Sequence, residues 1–234
     1  IRYDKRSFAH GRKMIKDKST VITVKEETID DAVLATEILR KDARIDKDRI
    51  FIAGHSMGGM LAPRIDAEGG NYKGLILLAG SPRKLEEILM EQIEEQMQSM
   101  KGLVKWIVEP LEDLYILSDE EAKRKKFGGG TTLYYFKEMG EHAVPEYLEK
   151  LEKPILVMQG AKDFQVKVEK DYKMYRDLLK DKPNASFKLY DNLNHCFVPA
   201  IYEDISKAKQ EYKPERHIGE DVVGDIAEWM RSAL

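Results

Sequence analysis

The sequence predicts an α/β protein, a mostly parallel sheet flanked by helices, and two observations carry that prediction. Short apolar-rich runs recur at residues 49–54, 73–80, 154–160 and 186–190. Such runs suit strands buried on both faces, where the alternation of a half-exposed strand has no reason to appear. Residues 28–44, 168–180 and 221–234 carry apolar side chains three and four apart, the spacing of amphipathic helices. Strands and helices that alternate in this way fold into a parallel sheet covered on both faces.

Taken in order, Ile1-Arg2-Tyr3-Asp4 reads as the end of a strand running into a loop. With no initiator Met and no signal-like segment, the chain reads as a fragment, its first strands and any targeting signal expected outside it. The first helix carries Ile29, Ala32, Val33, Ala35, Thr36 and Leu39 on one side. Asp30 and Asp31 sit in its first turn, where the helix dipole favours negative charge. A strand at 49–54 ends in glycine and leads to a helix expected at about residues 58–67. The last helix carries Val222, Ile226, Trp229 and Met230 on its apolar side.

Residues 82–150 break the rhythm. Met90, Ile93, Met97, Met100, Val104 and Ile107 form a narrow apolar stripe at helical spacing. A helical cap or lid is therefore expected as an insertion at 82–150, between core segments 1–81 and 151–234. The stripe packs on the main domain or on a second chain; as part of a lid, its flexible methionines Met90, Met97 and Met100 become candidate contacts for an acyl or aromatic group.

Composition excludes several classes. Lys and Arg number 39 and Asp and Glu 42, for a net charge of -3, so no broad basic face is expected and nucleic acid is not an expected partner. No apolar run approaches the roughly 20 residues of a membrane span. The one cysteine, Cys196, rules out an internal disulfide and fits a reducing compartment, cytoplasmic by default. Gly128-Gly129-Gly130-Thr131 lacks the Gly-Lys-Ser/Thr ending of a phosphate loop and reads as a hinge. With no His-x-x-x-His spacing and no cysteine cluster, neither metal nor cofactor is expected.

The chemistry is expected at strand ends. Gly54-His55-Ser56-Met57-Gly58 is a Gly-x-Ser-x-Gly pattern between an expected strand and an expected helix. A serine on that tight turn is strained and presents its hydroxyl above the sheet. Collisions of any added Cβ with nearby backbone are expected at Gly54 and Gly58. A serine nucleophile needs a base, and of five histidines His195 alone follows directly on the last strand. His55 lies inside the turn, its ring expected to point away from the hydroxyl, and is a further candidate substrate contact. The base needs a carboxylate; Asp163, just after the strand at 154–160, is preferred over Asp191, which lies four residues before His195 and reads as a turn former.

The chain order Ser56, Asp163, His195 is that of the α/β-hydrolase arrangement. The blocks Gly54-His55-Ser56-Met57-Gly58-Gly59, Gly160-Ala161-Lys162-Asp163-Phe164-Gln165-Val166 and Asn192-Leu193-Asn194-His195-Cys196-Phe197 resemble those of bacterial α/β-hydrolases of the serine aminopeptidase-like group, most of all its carboxylesterase members. Tyr3-Asp4-Lys5-Arg6-Ser7 looks like that group's D-x-R-G-x block, with Ser7 in place of glycine. The resemblance implies Met57 as one oxyanion amide. It also implies a second amide, and a strand beside the one leading to Ser56, from a region not present here.

A companion N-terminal segment, or a homodimer through the exposed sheet edge, is expected on that ground. The expected activity is cleavage of a small carboxylic ester, short or medium in its acyl group, through an acyl-enzyme. Peptidase, thioesterase and acyltransferase activities use the same constellation and stay open. So does a non-catalytic, self-associating fragment.

Overall fold

The computed structural model describes residues 1–16, 21–97, 101–127 and 131–234. In chain order its elements are α1 (Arg6–Lys16), α2 (Asp30–Lys41), β1 (Phe51–His55), α3 (Met57–Ile65), β2 (Gly74–Leu78), α4 (Leu85–Gln96), α5 (Lys101–Glu112) and α6 (Asp119–Arg124). There follow β3 (Lys126–Phe127), β4 (Thr131–Thr132), α7 (Leu133–Glu141), α8 (Val144–Lys150), β5 (Ile155–Gly160), α9 (Lys173–Leu178), β6 (Ala185–Tyr190), α10 (Ala208–Glu211) and α11 (Glu220–Ser232). No helix among the described residues is long and apolar enough to cross a membrane.

Two compact units emerge from the contacts. One comprises residues 1–45, 68–70 and 84–143; the other 46–67, 71–83 and 144–234. Residues 1–45, expected to share a core with 151–234, cluster with 84–143.

The second unit holds a four-stranded sheet in the order β1-β2-β5-β6, every pair parallel. All four strands match expected runs. β2 and β5 lie inside the sheet and are apolar almost throughout, since both their faces are covered. Ile76 of β2 and Leu156 and Met158 of β5 form one core cluster with Ala79, Leu193, Phe197 and Val222, and Ile226, Trp229 and Met230 of α11 pack against it. Trp229 meets Phe51 edge to face at 5.9 Å and its ring would be touched at 3.0 Å by a Cβ on Gly74, so that glycine lets the last helix come down on the sheet. Among the described residues β1 pairs with β2 alone and forms the sheet edge, as expected for the strand leading to Ser56.

The first unit departs further from expectation. Residues 6–16 form α1 where a loop was expected. Its mid-helix Gly11, costing about 1 kcal/mol relative to Ala, obscured the signal; the Arg6–Asp31 ion pair at 2.5 Å links it to α2. The apolar stripe from Met90 to Ile107 does not lie on one helix. α4 ends at Gln96, capped by Met97, and α5 begins at Lys101, so the stripe is divided between two helices. The buried face of α5 is Val104, Val108 and Leu111, which join Leu114, Ala122, Leu133, Phe136 and Met139 in this unit's core. Met90 and Met97 are half-buried. Met100 and the glycines at 128–130 lie outside the described residues. Ser118 caps α6 with a full capping box through Glu121, and Lys123 and Arg124 occupy its last turn.

Candidate active site

The turn at Ser56 has the strain expected of it. Ser56 sits at φ 56° and ψ −119°, a conformation that L-residues avoid at a cost of about 1–3 kcal/mol. The neighbours hold it there: Ser56 N–H donates to the Leu78 carbonyl of β2 at 2.8 Å, and its own carbonyl accepts from Gly59 and Met60 at 2.9 and 3.1 Å as α3 begins. Met57 is the first residue of that helix, so its amide lies at the positive end of the dipole.

Glycine is required here for two close approaches, one of them not the one expected. A Cβ on Gly54 would lie 2.1 Å from the Gly58 carbonyl oxygen. Gly58 itself has nothing within 4 Å of an added Cβ; the second contact belongs to Gly59, 3.1 Å from Gly54 O and from Gly80 Cα. The helix after the serine thus crosses both β1 and the end of β2 at backbone distance. Gly54→Ala should lower stability by about 3 kcal/mol or more, because the obstructing atom is backbone. Gly58→Ala should change it by less than about 1 kcal/mol. Thermal melts of the two variants check this, and equal effects would reverse the assignment.

Asp163 and His195 meet at the far strand ends. His195 Nδ1 lies 2.7 Å from Asp163 Oδ2, and both side chains are buried. The second oxygen, Oδ1, accepts from the backbone N–H groups of Gln165 and Val166 at 2.8 and 2.9 Å, while Oδ2 also accepts from Gln159 Nε2 at 2.8 Å. A carboxylate that only accepts fixes the tautomer: Nδ1 carries the proton and Nε2 is left as the free base. Asp191, the competing acid, is exposed.

Two contacts bring the serine turn and the histidine loop together. His55 Nε2 donates to the His195 carbonyl at 2.8 Å, and the two rings lie 4.8 Å apart. His55 therefore packs on His195 and braces its backbone. Burial lowers the His55 pKa below the ordinary histidine value, outweighing the carbonyl bond that raises it, so the ring is neutral at pH 7. Phe197, at φ 57°, stacks edgewise on His55 and on Tyr190. From below, a Cβ on Gly160 would strike the carbonyl oxygens of Leu193 and Asn194 at 2.3 and 2.6 Å, so the end of β5 passes directly under the histidine loop.

Several residues in this shell were not singled out from sequence. Gln159 gave a signal, a polar residue in an otherwise apolar strand, and its amide clamps Asp163 and the Val166 carbonyl. Asn194 entered only as part of the block around His195, and Glu211 gave no signal; both brace that loop.

A strained serine at the end of one parallel strand, and an Asp–His pair on the strands beyond its neighbour, define the architecture of an α/β-hydrolase. Solved structures share it. Est1E from Butyrivibrio proteoclasticus aligns at TM-score 0.51 and 18% identity over 88% of this chain and 72% of its own. Porphyromonas gingivalis dipeptidyl peptidase 4 aligns at 0.53 and 15% identity over 93% of this chain and 24% of its own.

The chain belongs to the serine aminopeptidase, S33 family, whose model matches residues 9–199. It is also 32% identical over 230 residues to esterase EstD of Thermotoga maritima, an alignment covering 98% of this chain and 52% of that protein. The chain thus spans about half the length of that relative.

Proposed function

We propose that the protein hydrolyses carboxylic esters by a two-step acyl-enzyme route. The observation that carries this reading is the buried 2.7 Å contact of His195 Nδ1 with Asp163 Oδ2, on a loop braced by the residue that precedes Ser56. Ser56 attacks the ester carbonyl; His195 Nε2 takes the hydroxyl proton and returns it to the leaving alcohol. Asp163 holds the tautomer and stabilises the imidazolium. The oxyanion is met by the backbone N–H of Met57. In the second step His195 deprotonates water, which attacks the acyl-enzyme and releases the acid.

The preference for an ester over a peptide is supported by the likeness to EstD. The fold is shared with a peptidase and decides nothing on this point. A panel of p-nitrophenyl esters, a thioester and a peptide p-nitroanilide tests it. Turnover is expected on short and medium esters; faster cleavage of the anilide would transfer the assignment to peptidases.

Residues 82–150 are proposed as the cap, with Met90, Met97 and Met100 setting acyl preference. Replacing these methionines by Ala should change the ratio of short-chain to longer-chain turnover. A loss of about 2–5 kcal/mol in stability at unchanged ratio assigns them to packing instead.

The edge of β1 carries the remaining proposal. An apolar strand edge with unpaired N–H and C=O groups recruits another strand, and we assign that strand to a companion segment of the same gene product or to a second copy. Light scattering separates the two: a dimer of this chain supports the second, a monomer that gains activity with the companion supports the first. A fully active monomer of residues 1–234 would remove both.

A further inference from the structure

The segment between β6 and α11 contains a wholly buried carboxylate, Glu211, at the end of α10. Its Oε1 accepts from Asn194 Nδ2 at 2.6 Å and from Arg216 Nη1 at 3.0 Å. Its Oε2 accepts from the backbone N–H groups of Ile201 and Tyr202 at 3.0 and 2.7 Å. Asn194 is the residue before His195, and its own Oδ1 accepts from the N–H of Cys196, the residue after. Arg216 adds a bond to the Pro199 carbonyl at 2.5 Å. One side chain thus gathers the start of the histidine loop, its far end and the strap that follows.

The next residue reaches the acid. Tyr212 OH accepts from Gln165 Nε2 at 2.7 Å, and its ring lies 5.7 Å from that of Phe164. Gln165 is the residue whose backbone N–H binds Asp163. The loops that carry Asp163 and His195 are therefore tied to the same short strap by adjacent residues.

A buried carboxylate is costly unless every oxygen is satisfied, and an apolar side chain of similar size is often as stabilising. Its use here is geometric, because four donors converging on two oxygens fix three backbone segments at once. Burial pushes the Glu211 pKa up, but the bonds from Tyr202, Asn194, Arg216 and Ile201 outweigh it and leave it below the ordinary value. The group is charged at neutral pH.

We propose that Glu211 is a positioning residue for His195, holding its loop so that Nδ1 stays aligned on Asp163. This rests on the Ser56–His195–Asp163 reading. Glu211→Gln is the direct test, since a carboxamide offers an acceptor at one end only. Its NH₂ must face either Asn194 and Arg216 or the Ile201 and Tyr202 amides, so two of the four contacts are lost at nearly constant volume. In the full chain, kcat for ester hydrolysis should fall roughly 10- to 100-fold, the scale of one or two charge-assisted hydrogen bonds. KM should stay within about twofold, because no substrate contact is touched.

The downfield Nδ1–H proton resonance of His195 should weaken or move in the same sample, while the thermal melt remains cooperative. A folded Glu211→Gln protein with native kcat and an unchanged resonance would overturn the proposal. Should that variant not fold, Arg216→Met removes a donor to Oε1 and the bond to Pro199 from a partly exposed position. A loss of about 3- to 10-fold in kcat is then expected, and an unchanged kcat is equally fatal. Ser56→Ala, run in the same assay, separates the two levels. If it stays active the triad reading fails and takes this one with it; if it is dead while Glu211→Gln is fully active, only the positioning role fails.

Discussion

Ser56→Ala is expected to lower ester turnover by about 10⁵–10⁶-fold, the scale reached when the nucleophile of a serine triad is removed. His195→Gln should do nearly the same, and the double variant little more, because the two act as one unit. Stability should hardly change. The strain at φ 56° is backbone strain, imposed by the Leu78 bond and by the start of α3, and alanine inherits it. A Ser56→Ala protein that keeps a tenth of its activity would mean that the strained turn is structural and the nucleophile lies elsewhere.

The second large effect is expected at Asp163, and its mechanism can be followed atom by atom. In Asp163→Asn the two backbone N–H groups of Gln165 and Val166 demand an oxygen at the Oδ1 position. The carboxamide must then turn its NH₂ toward His195 Nδ1 and Gln159 Nε2. That orientation forces the proton onto His195 Nε2, so the ring can no longer accept from Ser56. A loss of roughly 10³–10⁴-fold in kcat follows, as for the orienting carboxylate of other triads. Asp191→Asn, on an exposed side chain, should leave kcat within about twofold. Equal losses at both positions would contradict the geometry at His195.

The three residues proposed as catalytic could be picked out because each is marked by local chemistry at a strand end. Gly54 and Ser56 mark a tight turn from strand to helix, and the runs ending at Gly160 and Tyr190 placed Asp163 and His195 on the same edge of the sheet. The parallel strands themselves were legible because burial on both faces leaves an uninterrupted apolar signature. What was missed depends on contacts far apart in sequence. Gly59 rather than Gly58 makes the tight approach, because the obstacle is the end of β2, some twenty residues away. The bracing role of His55 could not be read from sequence, since its partner is a backbone carbonyl 140 residues on. Glu211 sits in a Lys/Glu-rich stretch where nothing distinguishes a buried carboxylate from a solvated one, and two of its four donors are backbone amides, which leave no trace in side-chain pattern. The stripe from Met90 to Ile107 misled for a different reason: its periodicity was counted past the end of α4 at Gln96 and on into α5 as if the two were one helix.

The central claim is that Ser56 becomes acylated with help from His195, and covalent labelling tests it most directly. The protein is incubated with a fluorophosphonate, and the adduct is located by intact mass and peptide mapping, beside Ser56→Ala and His195→Gln. The account predicts one phosphonyl group per chain, on Ser56, absent in Ser56→Ala and formed far more slowly in His195→Gln. An ester-hydrolysing protein that carries its adduct on another residue, or that labels equally fast without His195, would contradict it.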